Sequence, residues 1–207
     1  MATGKKTTLK KSGTKTKAVK PVGPVKKAVV KARATVKKAV AKAASKVESK
    51  ITSASSSKPQ VGNAAPEFKL QDDSGRVVTL GEFRGKKVVL YFYPKDNTSG
   101  CTRESCDFRD NLNRLNGRGA VVLGLSADSV DSHRKFKAKQ GLNFPLLSDP
   151  ERQALNAYGV WQEKSLYGRK FMGIVRTTVI IDEKGKIAKV WPKVKVEGHV
   201  DDVLASL

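Results

Sequence analysis

The order of hydrophobic and polar positions separates a patterned stretch from an unpatterned start. The run KVVLYFY at 87–93 is apolar after its first residue and rich in β-branched and aromatic side chains, as in a strand buried on both faces. AVVLGLSA at 120–127 repeats the pattern. Between them, CTRESCDFRDNLNRLN at 101–116 predicts a helix closed by Gly117. DSVDSHRKFKAKQG at 128–141 predicts another, with an Asp or Ser start and a glycine stop. PERQALNAYG at 150–159 places a proline at a helix start. RTTVIID at 176–182 and KIAKVW at 186–191 flank EKG, a hairpin signal, and HVDDVLASL at 199–207 reads as a closing helix. Strands alternating with helices and then passing into a hairpin predict an α/β domain, with a mixed central sheet flanked by helices on both faces. Trp161, Tyr167 and Phe171 read as core or pocket wall.

The start of the chain follows no such plan. Up to Pro24 it is mostly Lys, Thr, Gly and Pro, too poor in apolar surface to fold alone. From Val25 the segment VKKAV recurs at 36–40, an offset of eleven residues, which is about three helical turns. Val25, Ala28, Val29, Ala32, Val36, Ala39, Val40, Ala43 and Val47 would then share one stripe, with lysines over much of the remainder. ITSASSSKPQ at 51–60 reads as a flexible linker. Two regions are therefore expected: a disordered Lys/Ala-rich arm with its linker over 1–58, and a globular domain over 59–207.

Charge sharpens that division. Residues 1–58 hold 16 Lys and Arg33 against Glu48 alone, which is +16 of the chain's +22. Such lysine density suits phosphate binding by counterion release, with Lys26, Lys27, Lys37 and Lys38 of the two repeats at its centre. In composition the arm resembles the lysine- and alanine-rich tails of linker histones and bacterial histone-like proteins. It has no base-reading motif, so any nucleic-acid binding is expected to be nonspecific. Membrane binding or organelle targeting competes, but the Val/Ala stripe lacks Trp, Phe and Leu, and Lys outnumbers Arg 16 to one in this segment. A solvated spacer is the third reading.

No apolar run approaches the ~20 residues that cross a bilayer, and the N-terminus lacks an apolar signal core of ~7–15 residues. The expected setting is an intracellular, reducing compartment, with nucleoid or nuclear association if the arm binds nucleic acid. In such a setting the two cysteines, Cys101 and Cys106, point to redox chemistry, a metal, or nothing. His133 and His199 are far apart in sequence, so no metal site is expected.

Cys101 falls in the first turn of a helix that follows the carboxyl end of a strand, where open α/β sheets carry their sites. Free N–H groups and the positive end of the helix dipole favour a thiolate there. PKDNTSG at 94–100 is polar and loop-like, so the sulfur is expected to be reachable and nucleophilic. Cys106 lies five residues on. In an intact helix that spacing means ~500° of rotation, ~7.5 Å of rise and ~8.6 Å between Cα atoms. A disulfide wants roughly 4.4–6.8 Å. The two sulfurs cannot join unless the first turns unwind. A small core-facing side chain is the other reading of Cys106.

YFYPKDNTSGCTRESC at 91–106 resembles the active-site segment of the peroxiredoxins, in particular the bacterioferritin-comigratory-protein or peroxiredoxin Q subgroup. The family pattern Pro-x-x-x-Thr/Ser-x-x-Cys stands here as Pro94, Thr98 and Cys101. The subgroup's resolving cysteine matches Cys106, and the family's distant arginine, just inside a late strand, matches Arg176. FPLLSDPERQALNAYGVW at 144–161 and EKSLYGRKFMGIVR at 163–176 are also similar to the subgroup. The resemblance spans roughly residues 60–207, with Ser99 where many members have Pro.

The resemblance implies a thioredoxin-like fold and a thiol-dependent peroxidase acting on hydrogen peroxide and organic hydroperoxides. It implies attack by Cys101, with the Thr98 hydroxyl, the Cys101 N–H and Arg176 donating to the departing oxygen. Pro94 would shield the sulfenic acid, and Cys106 would resolve it as an intramolecular disulfide. Thioredoxin or a similar dithiol protein would reduce that disulfide, with no metal or organic cofactor. Subgroup members are often monomers. Glu104, at helical offset three from Cys101, is read as a dipole partner outside the catalytic set. The whole then reads as a peroxidase held near nucleic acid by its arm. The alternative is a chromatin-associated or nucleic-acid-binding protein whose peroxiredoxin domain serves as a redox sensor.

Overall fold

The computed structural model describes residues 60–166 and 168–207. The basic segment 1–58, with Lys26, Lys27, Lys37 and Lys38, lies outside the described residues, as does Tyr167. No helix among the described residues is long and apolar enough to cross a membrane.

A hairpin of β1 (Lys69–Asp72) and β2 (Val77–Thr79) leads through a 3-10 turn (Leu80–Phe83) into β3 (Lys87–Phe92). Two helices follow, α1 (Ser99–Asp110) and α2 (Leu112–Asn116), then β4 (Ala120–Ser126), α3 (Val130–Gln140), β5 (Leu146–Ser148) and α4 (Gln153–Ala157). A second hairpin, β6 (Trp161–Leu166) and β7 (Arg169–Ile174), precedes β8 (Thr177–Ile181), β9 (Ile187–Pro192) and α5 (His199–Leu204). Seven strands make one mixed sheet in the order β2-β1-β5-β4-β3-β8-β9. β3, β4 and β5 run parallel, and β8 joins β3 antiparallel.

β3 lies in the middle of this sheet, and every residue after Lys87 is buried. Its side chains alternate between two cores, as period-two geometry requires. Val88, Leu90 and Phe92 pack with Leu123, Leu125, Leu155 and Tyr158. Val89, Tyr91 and Tyr93 pack with Cys101, Phe108, Leu115, Phe136 and Val203. Helices therefore cover both faces, and the fold is thioredoxin-like, as expected. Gly124 of β4 pairs with Tyr91. A Cβ there would lie 2.7 Å from the Tyr91 hydroxyl oxygen and 2.8 Å from Leu146 Cδ2, so glycine is what lets the tyrosine lie flat on the sheet.

Several expectations shift. The helix over 101–116 begins two residues earlier and breaks at Asn111, whose side-chain amide donates to the Asp107 carbonyl at 2.9 Å. Pro150 does not start a helix. α4 begins at Gln153, where the Asp149 carboxylate accepts from the N–H groups of Gln153 and Leu155, both at 2.9 Å. Arg176 stands one residue before β8 rather than inside it. Phe171, expected in the core or a pocket wall, is exposed on β7. Trp161 is half-buried beneath the Arg152 guanidinium, 4.5 Å above its ring.

Candidate active site

The site forms where the C-terminal ends of β3 and β4 lie side by side and α1 begins. Thr98 is the helix N-cap, with φ −82° and ψ 150°. The first intrahelical bond runs from the Thr102 N–H to the Thr98 carbonyl at 2.8 Å. The N–H groups of Ser99, Gly100 and Cys101 thus precede the helical ladder and leave a locus of positive charge at the helix start.

α1 buries Cys101, Glu104, Ser105 and Phe108. These positions have the i, i+3, i+4, i+7 spacing of an inward helical stripe. The stripe is unusual in carrying a thiol, a carboxyl and a hydroxyl where apolar side chains are the rule. Each finds a partner. Ser105 Oγ meets the Tyr91 hydroxyl at 3.0 Å. Burial pushes the Tyr91 phenol well above its usual range and keeps it neutral. Tyr91 also stacks on Phe108, with ring centroids 4.7 Å apart.

Arg176 completes the site from across the chain. Its main chain is pinned by the Val194 N–H, which donates to the Arg176 carbonyl at 3.0 Å, and by the neighbouring Val175 N–H, which donates to Val160 O at 2.9 Å. Its guanidinium divides between two partners. Nη2 donates to Cys101 Sγ at 3.3 Å, and Nη1 donates to Glu104 Oε2. Gly100 makes room for it, since a Cβ there would stand 3.3 Å from Arg176 Nη2.

Glu104 is 1 % exposed, and its Oε1 has no hydrogen-bond partner. Burial pushes its carboxyl up to about 7, against the pull of the Arg176 charge. Burial also works against the Arg176 charge, but the Glu104 and Cys101 partners outweigh it and hold the guanidinium firmly protonated. With a carboxyl that is only partly ionised near neutrality, the arginine charge is left incompletely balanced.

The expectation of a reachable sulfur is corrected. Cys101 has 0 % exposure despite its polar loop, because the guanidinium from a distant strand end lies over the helix start. Solvent approaches Arg176 first, through an open cleft of about 430 Å³ lined by Gln162, Lys164, Val175, Arg176, Lys193 and Val194 among others. Thr98 is exposed, and its hydroxyl proton is committed to the Lys95 carbonyl at 3.0 Å. The expected donation from Thr98 is thus already spent on the backbone, while the lone pairs on its oxygen remain. Pro94 is half-buried in the loop after β3. Cys106 shares α1 with Cys101 but falls off the inward stripe, so the core-facing reading does not hold. It is half-buried, with Sγ 4.0 Å from Gln140 Oε1, and both thiols are free. Glu104 is a site residue that the sequence reading left out, although the inward spacing of a carboxyl with Cys101 and Phe108 was a signal for it.

Known proteins share this arrangement of chain. The AhpC/TSA family model matches residues 61–190. A bcp homologue from Coxiella burnetii is 52% identical over 148 residues, covering 72% of this chain and 98% of its own length. The peroxiredoxin Bcp of Bacillus subtilis is 46% identical over 148 residues, covering 72% of this chain and 94% of its own length. Among solved structures, the Xanthomonas campestris bacterioferritin comigratory protein, described for its alkyl peroxide reduction activity, superposes with a TM-score of 0.67 at 42% identity, covering 72% of this chain and 94% of that one. With the fold, the thiol at a helix start and these relatives together, the chain belongs to the AhpC/TSA family and is a peroxiredoxin, a thiol-dependent peroxidase.

Proposed function

We propose that the chain reduces hydrogen peroxide and organic hydroperoxides at Cys101 and recycles through a Cys101–Cys106 disulfide. The observation that carries this reading is the Arg176 guanidinium, 3.3 Å from a sulfur at the start of a helix. The Cys101 thiolate attacks one oxygen of ROOH. The S–O bond forms, the O–O bond breaks, and RO⁻ leaves to take up a proton as ROH. Arg176 and the N–H groups at the helix start favour charge on sulfur first and on the departing oxygen later, the pattern that lowers a barrier. The lone pairs of Thr98 accept the hydroperoxide O–H and orient it. Pro94 keeps water from the resulting sulfenic acid.

Resolution follows when the first turns of α1 unwind and the Cys106 thiolate attacks the Cys101 sulfur, releasing hydroxide that becomes water. Thioredoxin or a similar dithiol protein then exchanges its two thiols for the disulfide. The domain acts as a monomer, and residues 1–58, with their +16 charge, tether it to nucleic acid without sequence preference.

Peroxide consumption coupled to thioredoxin tests the enzymatic part. Turnover is expected from the full chain and none from Cys101→Ser. Turnover that survives in the variant contradicts the reading. For the arm, a salt-dependent gel shift of DNA is expected from the full chain and not after deletion of 1–58. DNA retention that persists in the deletion removes the tether. A full chain that shifts DNA but consumes no peroxide is the sensor of the alternative reading.

A further inference from the structure

The loop from Pro94 to Thr98 hangs on one side chain outside the reacting set. Asp96 is 5 % exposed. Its Oδ1 accepts from the Tyr93 hydroxyl at 2.8 Å, and its Oδ2 accepts from Ser132 Oγ at 2.7 Å. His133 Nδ1 lies 3.0 Å from the same Oδ2. The Asp96 N–H donates to Asp128 Oδ2 at 2.9 Å, which ties the loop to the end of β4 as well. Directly after Asp96 the backbone enters a left-handed turn at Asn97, φ 58°. The direction in which the chain leaves β3 for α1 is therefore set at Asp96.

His133 is fully buried, and its other ring nitrogen, Nε2, lies 3.2 Å from the Leu147 carbonyl oxygen of β5. A carbonyl and a carboxylate can only accept. Both ring nitrogens face such acceptors, so the ring bridges the Asp96 carboxylate and the β5 main chain. The Tyr93 hydroxyl, 3.3 Å from Nδ1, does not compete as a donor, because its proton is directed to Asp96. Burial alone would raise the Asp96 carboxyl, but the bonds from His133, Ser132 and Tyr93 outweigh it and hold the group ionised. A buried, hydrogen-bonded carboxylate of this kind contributes little net stability compared with well-packed apolar side chains. What it supplies is direction: three side chains meet on two atoms.

We propose that Asp96 and His133 are positioning residues for peroxide reduction, a hydrogen-bonded pair that holds Pro94 and Thr98 in register with Cys101. The inference rests on the peroxidase reading above. α3 makes the pair useful through the whole cycle. His133 sits near its start, while Gln140, at its end, contacts Cys106 and accepts from Arg109. When α1 unwinds, the Gln140 end gives up its contact with Cys106. The His133 end uses no hydrogen bond of α1, so the loop keeps its place and α1 rewinds onto a fixed start.

Three readouts on full-length protein test this, with hydrogen peroxide as the probe of the forward step. Nitrogen NMR of the wild type is expected to find the His133 Nδ1–H hydrogen-bonded to the Asp96 carboxylate, and Asp96→Asn is expected to lose that signature. In stopped flow, Asp96→Asn is expected to slow the peroxide step about 100-fold, while dithiothreitol reduces its preformed disulfide within about twofold of the wild-type rate. Should Asp96→Asn fail to fold, Ser132→Ala keeps the Asp96–His133 bond and removes one donor, with an expected loss of roughly threefold to tenfold in the same step. A His133 Nδ1 that carries no proton toward Asp96 in the wild type overturns the proposal. So does peroxide reactivity of the folded Asp96→Asn, or of Ser132→Ala in its place, equal to the wild type's. If the wild type itself consumes no peroxide, the peroxidase reading fails instead, and the two failures are distinct.

Discussion

Cys101 and Cys106 share one helix but not one environment. The first is fully buried, lies at the start of α1 and receives a hydrogen bond from Arg176 at 3.3 Å. The second is half-buried in mid-helix, and its polar contact is the Gln140 side-chain oxygen at 4.0 Å. Helical geometry alone makes this difference, because five residues turn the side chain by about 140° beyond a full circle. One thiol therefore looks into the charged interior and the other across the surface toward α3. The contrast supports the proposed division of roles. The thiol with a guanidinium and free N–H groups suits attack on an oxygen, and the thiol near a helix flank suits delivery after the helix opens.

The largest break in that contrast is at the guanidinium. Arg176→Met is expected to slow sulfenic acid formation by roughly 100- to 1000-fold, read by stopped flow against peroxide, because a preorganised donor and its charge are both removed. Cys106→Ser should leave that first step nearly unchanged and stop thioredoxin-coupled cycling after one turnover. Continued cycling would show that Cys106 is not the resolving thiol.

Glu104→Gln sharpens the electrostatics. The Glu104 carboxyl titrates at about 7 in the folded chain against an ordinary 4.5. The fold therefore binds this proton more tightly than the unfolded chain does. That contribution to stability is complete below about 4.5 and is lost as pH rises through about 7. Glu104→Gln should flatten this part of the pH dependence, measured as urea midpoints from pH 4 to 8. An unchanged slope would contradict the burial argument. The smallest effect is expected from Gly100→Ala. Its Cβ would press on Arg176 Nη2 from 3.3 Å, and a shift of tenths of an ångström should cost a few-fold in peroxide rate with little loss of stability.

Much of the frame was legible from pattern. β3 and β4 announce themselves as apolar runs, and α3 carries both of its end signals, Ser129 and the left-handed Gly141. The buried strand, the polar loop after it and the helical pattern from 101 put Cys101 at a helix start. Shorter or more polar elements stayed hidden. β5 has only three residues, and the β6–β7 hairpin is built from sequence such as QEK and RK that carries no apolar alternation. Glu104, Asp96 and His133 were missed for one common reason. A polar residue is normally solvated; inward spacing on α1 hinted at Glu104, but only tertiary neighbours far along the chain show that these residues are buried and paired. The same reason misled the reading of Cys101 as reachable. The loop before it is polar, but the group that covers it arrives from position 176.

One measurement bears most directly on the account. Fully reduced protein would be mixed with substoichiometric hydrogen peroxide, quenched within milliseconds in a sulfenic-acid trap and mapped by mass spectrometry. The first oxygen is expected on Cys101 alone, with the Cys101–Cys106 disulfide growing in as that adduct declines. First oxidation at Cys106, or equal labelling of both thiols, would contradict the claim that the buried sulfur beside Arg176 is the one that meets peroxide.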